Sequence, residues 1–392
     1  MSIESATMRH LCSLALAFAF LSVACTSNPK ADREVSLDRV IRPATLRALW
    51  VDSWGDGIYT PEQCDRMIAW AVKNGFNTLL VEVRKTGDAY YRSHLVPRGR
   101  DVVRNRPLDH AFDPLDYILR RAKGEHGLRV EAWLVANRVW KGVVAPEPTA
   151  PLHVVLSHPE WLLVDKDGEV RQRVAGDSIS LDPSDPEARA HVAQVAGEVA
   201  RRYPVDAIHL DYIRYPSGPW GYGERSLRRY RDATGAADTP SADDPRFIRW
   251  KADQVTAEVR EIRNAVKLAN PAIDLTAAVV AWGAPGTTGY RGTKGYLGAC
   301  QDWPDWCQRG LVDGVYVMHY KREGVAAQAR DFRAWLPVFM EIRGMSPGFM
   351  AVGLAAYLNT PSETATQESA SLAAGADGTA WFSYRTPARP QP

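Results

Sequence analysis

The sequence is short of cysteine, has no excess of charge of either sign, and has no apolar run long enough to cross a bilayer comfortably. Each shortage closes off a class of protein. Five cysteines in 392 residues are too few for a disulfide framework. No cluster of Cys and His has the spacing of a metal site, so no metal and no other cofactor is expected. Lys and Arg number 48 against 46 Asp and Glu, which gives the chain as a whole no field for nucleic acid. The Gly-rich phosphate turn that often follows the first strand of a doubly wound sheet is missing. No internal repeat is visible.

What is present starts with a targeting segment. Arg9 and His10 precede an apolar stretch at 11–23, the layout of an export signal. Ser22, Val23 and Ala24 lead into Cys25, and "LSVAC" resembles a bacterial lipobox, with Leu21 one place further from the cysteine than usual. The resemblance implies cleavage before Cys25, lipidation there, and a protein anchored to a membrane without crossing it. Ordinary secretion is the alternative. On this reading 1–24 is signal, 25–43 a polar tether and 44–392 the folded body. Thr26 stands where an aspartate would retain a lipoprotein at the inner membrane. The expected location is the cell envelope, on the outer membrane facing the periplasm where there is one. Cys12 leaves with the signal. Cys300 and Cys307 are close enough in sequence to pair in an oxidising compartment, and Cys64 reads as a buried thiol.

The body alternates strand and helix. Strands are expected at 46–52, 77–84, 129–137, 207–212, 274–281, 314–320, 350–357 and 379–385. Helices are expected at 61–74, 113–124, 185–203, 246–269, 325–336 and 361–374, with a short one at 303–309. Thr60 with Gln63, Asp113 with Asp116, Ser184 with Glu187 and Thr360 with Glu363 look like capped first turns. Eight such steps predict an α/β fold, a (β/α)8 TIM barrel lacking its eighth helix, with a doubly wound sheet as the alternative. The connections at 85–112, 138–184 and 216–245 are long. In a barrel they fall on one face and build a cleft there. A hairpin is expected around Asp167 and Gly168.

Strand alternation names the residues that face inward. It selects Trp50 and Asp52 on the first strand, Glu82 and Arg84 on the second, and Glu131, Trp133 and Asn137 on the third. On the fourth it selects His209 and Asp211, in "HLDYIRYP". Buried carboxylates are costly unless paired, so Glu82 and Glu131 have a competing structural reading, held by Arg84, Arg138 or His209. Asp211 ends its strand, where barrel enzymes keep their chemistry. Arg84, Lys85, Arg138, Lys141, Arg214, Lys321 and Arg385 follow strand ends. Beside them stand Trp54, Tyr90, Tyr91, Trp140, Tyr212, Tyr215, Trp220, Trp282 and Tyr320. Rings, forked donors and carboxylates together suit a charged sugar, although each ring alone is equally a packing residue.

Several blocks then resemble one family. "FNTLLVEVRKTGDAYYRS", "HPEWLLVDKDG", "VDAIHLDYIRYP" and "GLVDGVYVMHY" are similar to glycosyl-hydrolase-like family 10 proteins, over about 44–385. The resemblance implies a (β/α)8 barrel that hydrolyses glycosidic bonds, with a peptidoglycan glycan strand or another oligosaccharide as partner. His209, Asp211, Tyr215 and Pro216 match the family block at the fourth strand. Tyr212 stands where many members carry a second Asp. Arg84, Gly87 and Asp88 match the block after the second strand, and Arg138 the arginine after the third.

These readings give Asp211 as the ionised carboxylate of a two-carboxylate mechanism. Asp52 and Glu82 rank first as its acid partner, ahead of Asp88, Asp302 and Asp305. Arg84, Asp88, Arg138, His209, Tyr212, Arg214, Tyr215, Trp282, His319 and Tyr320 are expected to contact substrate. The rivals are a glycosidase for another anionic polysaccharide and a non-catalytic glycan-binding lipoprotein. A monomer is expected, joined to the membrane only through Cys25.

Overall fold

The computed structural model describes residues 43–385 except 143, 173–177 and 287–288. The expected signal peptide, the tether and Cys25 lie outside the described residues. Eight parallel strands close a barrel: β1 (Leu46–Val51), β2 (Thr78–Arg84), β3 (Arg129–Val135), β4 (Ala207–Asp211), β5 (Asp274–Val280), β6 (Gly314–Met318), β7 (Phe349–Leu354) and β8 (Gly378–Trp381). Each strand pairs with its sequence neighbour, and β8 closes on β1. All eight lie where alternation and turn chemistry put them.

The two faces of each strand do different work. Leu79, Val81, Val83, Ile208 and Leu210 are buried against the helix layer. Removing each large apolar side chain from water contributes about 1.5–3 kcal/mol. Leu46, Ala48, Trp50, Trp133, Tyr316 and Phe349 fill the barrel interior. The Trp50 ring fits because β7 carries glycine opposite it: a Cβ on Gly353 would lie 3.0 Å from the ring and 2.8 Å from the Val317 carbonyl.

Helices α1 (Pro61–Lys73), α2 (Pro114–Ile118), α3 (Pro186–Arg202), α4 (Pro245–Ala269), α5 (Trp303–Gln308), α6 (Ala326–Gly344) and α7 (Pro361–Ala374) follow β1 to β7 in turn. Thr60 and Asp113 accept from the backbone N–H of Gln63 and Asp116, and Thr360 with Glu363 forms a full capping box. At α3 the cap is Asp185, whose Oδ1 accepts from the N–H of Glu187 at 3.0 Å. The expected Ser184 is one residue too early, because Pro186 takes the first helical position. Helix α6 continues through Pro337, where a stop was expected, since Leu336, Phe339 and Ile342 keep burying its inner face. α2 runs on as a π-helix, Leu119–Glu125.

Among the described residues no helix follows β8. Aromatic rings cover that flank instead: Trp381 meets Phe76 edge-on at 5.5 Å, and Trp70 of α1 meets Tyr384 at 5.7 Å.

The long loops fold onto one another. Arg138–Lys141, Ser178–Ser180 and Arg171–Gln172 form a small antiparallel sheet above β3. The expected hairpin at Gly168 is a tight turn, closed by the Asp165 N–H on the Glu169 carbonyl at 2.9 Å. Asp165 also bridges to Trp220, joining the loops after β3 and β4. The second of these holds a helix, Glu224–Thr234, that sequence periodicity did not isolate. Cys300 and Cys307 do not pair. Both are free and buried, with Lys251 beside one thiol and Ser346 beside the other.

Candidate active site

Three carboxylates reach the C-terminal mouth of the barrel. Asp52, Glu82 and Asp211 are 4%, 1% and 5% exposed, and each is held differently. Asp52 follows β1, and its Oδ1 accepts from Arg385 Nε and Nη2 at 2.9 and 2.6 Å, while Oδ2 accepts from the Ser383 hydroxyl at 2.8 Å. Glu82 lies on β2, where its Oε2 accepts from the Ser53 N–H and hydroxyl at 2.7 and 2.8 Å. Burial, seconded by the Asp52 charge, pushes the Glu82 carboxyl up to about 7. It therefore retains a share of its proton at neutral pH. Asp211 closes β4, and its Oδ1 accepts from the Tyr212 N–H at 2.7 Å. Its neighbour Tyr212 has φ 51°, left-handed backbone that costs a non-glycine residue energy.

Cations and rings interleave around these groups. Arg138 lies 3.9 Å from the Tyr212 ring centre and Arg214 lies 4.4 Å from it. Lys85 and Lys141 each stand 4.8 Å from the Trp54 ring, and Arg214 5.3 Å from Trp282. The Arg138 charge opposes the rise of the Glu82 carboxyl, while its guanidinium lies over the ring of Tyr212, the neighbour of Asp211. Tyr320 lies tilted against Phe382 at 5.6 Å, and burial with the nearby Asp211 charge raises its phenol well above the ordinary value.

Beneath the mouth a polar chain crosses the barrel. Trp50 Nε1 donates to His209 Nε2 at 3.2 Å, which leaves Nδ1 to donate to Thr276 Oγ1 at 3.0 Å. The Thr276 hydroxyl then donates to Glu131 Oε2 at 2.6 Å, and the Tyr316 hydroxyl to Oε1 at 2.8 Å. Arg129 joins Glu131 to Asp274 at 2.8 and 2.9 Å. Burial lowers His209 to about 3, so it is neutral, with its tautomer fixed by both neighbours.

Several expected contacts are therefore relocated. His209 is wholly buried and satisfied on both nitrogens, so it supports the site from below. Glu131 is structural: Arg129 is its ion-pair partner, in place of Arg84 or Arg138, and His209 Nδ1 stands 3.9 Å from its Oε2. Arg84 leaves the inward alternation because the β2–β3 register shifts after Glu82. It is buried and donates to the Ala136 carbonyl at 2.9 Å. Asn137 turns outward too, its side-chain amide donating to Glu258 of α4 at 2.9 Å. Tyr215 is buried and its hydroxyl donates to Asp182. His319 stacks on Phe332 at 4.7 Å in the helix layer, not in the mouth. Asp88 organises the loop after β2, one oxygen accepting the N–H groups of Lys85 and Thr86, with Gly87 at φ 75°. Asp302 and Asp305 are paired with Arg291 and Arg309. Tyr90, Tyr91 and Trp220 are buried packing. Arg138, Tyr212, Arg214, Trp282 and Tyr320 remain around the mouth with the three carboxylates.

Sequence reasoning missed Ser53, Ser383, Thr276 and Tyr316. The last two were within reach, since alternation on the fifth and sixth strands puts them on the inward face. Ser53 and Ser383 lie just past strand ends, where alternation lapses.

Comparison with known proteins adds the following. Residues 45–336 match the family model described as glycosyl hydrolase-like 10. The glycosyl hydrolase YngK of Bacillus subtilis (strain 168) is 25% identical over 371 residues, covering 90% of this chain and 67% of that protein. The glycosyl hydrolase DigH of Escherichia coli (strain K12) is 24% identical over 261 residues, covering 63% of this chain and 55% of that protein. The chain thus spans between about half and two thirds of the length of these two relatives. Among solved structures, the PgaB (BpsB) glycoside hydrolase domain from Bordetella bronchiseptica superposes with TM-score 0.65 at 14% identity, over 87% of this chain and 94% of that one. The catalytic domain of a β-amylase from Paenibacillus polymyxa gives TM-score 0.56 at 14% identity, over 87% and 92%. Likeness at that identity shows the barrel fold.

Proposed function

The chain belongs to the glycosyl hydrolase-like 10 family and is a glycosidase, and on that premise we propose that it cleaves peptide-free cell-wall glycan strands, with Glu82 as acid and Asp211 as the ionised carboxylate. One observation carries the assignment of roles. Of the three mouth carboxylates, Glu82 is the one pushed up to about 7, as the donor to a departing glycosidic oxygen needs to be. Asp52 is occupied by Arg385 and serves Glu82 through its charge. Asp211 keeps Oδ2 without a protein donor among the described residues.

In the reaction Glu82 gives its proton to the leaving oxygen as the bond to the anomeric carbon breaks. Asp211 meets the positive charge developing on that carbon, either by direct attack or by activating a water. Strands β2 and β4 are two steps apart around the barrel, so their backbones stand roughly 10 Å apart at ~4.8 Å per step. Inward-leaning side chains shorten this toward the ~5–9 Å over which carboxyl pairs operate. The second carboxylate that Tyr212 displaces from its usual place beside Asp211 is thus supplied across the mouth.

The substrate reading rests on charge. Stripped of peptides, a cell-wall strand carries a free lactyl carboxylate on every second sugar, and the cation-rich mouth would favour it over a peptide-bearing strand. The protein is further proposed to be a lipoprotein, anchored through Cys25 in the cell envelope and, where there is an outer membrane, facing the periplasm. The test is to incubate the purified protein with amidase-treated and with intact sacculi and to analyse soluble products. Release from the treated sacculi alone is expected. Equal release from both, or none from either, contradicts the reading. Labelling with a fatty-acid analogue should mark the wild-type chain and not Cys25→Ala.

A further inference from the structure

Two arginines in the mouth have no anion. Arg138 and Arg214 make no ion pair and donate no side-chain hydrogen bond among the described residues, and the Nε of each is buried without a partner. Other arginines nearby are engaged: Arg385 holds Asp52 and Arg291 holds Asp302, while Arg84, whose Nε and Nη2 are also unpartnered, is wholly buried on the backbone carbonyl of Ala136 and lies outside the mouth. Arg138 and Arg214 are held instead by rings, at 3.9 and 4.4 Å from the centre of Tyr212. A guanidinium stacked on a ring keeps its N–H edge free, and that edge matches a carboxylate. Tyr212 meets both cations from left-handed backbone, at φ 51°. The ring therefore carries both forks, which sets it apart from a plain wall for sugar.

The other side of the mouth differs. Phe382, just past β8, lies 5.9 Å from Trp50, 5.6 Å from Tyr320 and 6.0 Å from Tyr357. Among the described residues no Lys or Arg sits over the Tyr320, Tyr357 or Phe382 ring. Tyr357 is 44% exposed, with the Arg322 charge acting on its phenol, so an aromatic platform with no cation over its rings among the described residues rises from the ends of β6, β7 and β8. Asp211 bears on both halves, through Tyr212 beside it and through its charge on Tyr320.

We propose that Arg138 and Arg214 form a carboxylate receptor for the acidic unit of the glycan, and that the Tyr320–Tyr357–Phe382 platform takes the neutral unit next to it. The assignment rests on the reading of the mouth as a glycan site and adds a direction to it. An alternating strand can then sit over Asp211 in one register only, so one of its two linkages is cut and the other spared.

The experiment compares kcat/KM on a peptide-free glycan tetrasaccharide and on its carboxyl-methyl ester, for wild type, R138Q/R214Q and Y357A, with melting temperatures confirming the folds. The wild type should favour the acid by about tenfold or more, the size expected for a charge-assisted fork. In R138Q/R214Q the acid-to-ester ratio should fall to near one. Y357A should lower both rates together and leave the ratio as in the wild type. A wild-type ratio near one, or an unchanged ratio in R138Q/R214Q, overturns the receptor. If the wild type hydrolyses neither compound, the glycosidase reading fails separately. The same ratio, read from binding by tryptophan fluorescence, then decides the receptor on the same terms.

Discussion

Arg385 grips Asp52 by one oxygen: Nε and Nη2 both donate to Oδ1, at 2.9 and 2.6 Å. A carboxylate so engaged is a fixed negative charge, and Glu82 is the group that feels it. Asp52→Asn should therefore lower the pH at which Glu82 gives up its proton. Burial is the larger cause of the rise and Asp52 the second, so the alkaline limb of the pH–rate profile should move down by about one unit or less. Complete loss of activity at every pH would mean that Asp52 itself reacts.

The internal chain from Trp50 to Glu131 predicts a stability effect separate from catalysis. Thr276→Val keeps the shape, but it strands the His209 Nδ1–H and removes the donor to Glu131 Oε2. Leaving buried polar groups unpaired costs about 1–3 kcal/mol each. Urea unfolding should show a loss of that order, and KM should change little, since Thr276 touches no mouth residue in this chain of bonds.

Stability should peak near neutrality, for reasons of opposite sign. Burial lowers His191 to about 4 and His209 and His319 to about 3, from the ordinary 6.5. These rings stay neutral in the fold and take up protons on unfolding, so stability is lost as pH falls below 6.5. Glu82 and Glu258 are raised to about 7 from 4.5. They hold protons in the fold that the unfolded chain releases, so stability is lost as pH rises from 4.5 to 7. Burial lowers His153 as well, so the histidines outnumber the two glutamates and stability rises with pH between 4.5 and 6.5. Below pH 4.5 the two glutamates are protonated in both states and no longer oppose the histidines, so the fall steepens. Denaturant unfolding at half-unit steps from pH 4 to 7.5 checks the maximum near 6.5. A curve that climbs steadily toward acid would contradict it.

The barrel was legible because it is written in local chemistry. Apolar strands ending at Val51, Arg84, Asp211 and Leu354 alternate with capped helix starts, and a parallel barrel is the economical way to bury both strand faces. Asp211 was legible for the same reason, as a carboxylate on the inward parity at the last position of a strand. What escaped was geometry that alternation does not carry. A register shift after Glu82 turned Arg84 away, and the end of β3 released Asn137 toward α4. His319 was misplaced although parity was available: Tyr316 points inward, so a residue three positions on points outward. Nothing in the sequence says that Arg385, hundreds of residues away, comes to Asp52. That pairing exists only because β8 closes on β1.

Glu82 and Asp211 divide the chemistry between them in the proposed reaction, and leaving-group dependence separates the two roles. Glu82→Gln and Asp211→Asn are assayed on two glycosides of the same sugar, one with an alkyl leaving group and one with a strongly acidic phenol that departs without a proton. Glu82→Gln should lose about 100-fold or more on the alkyl glycoside, as removing a general acid does, yet keep most of its rate on the phenol. Asp211→Asn should be inactive on both. Equal losses on the two glycosides in Glu82→Gln, or turnover of either by Asp211→Asn, would contradict the assignment.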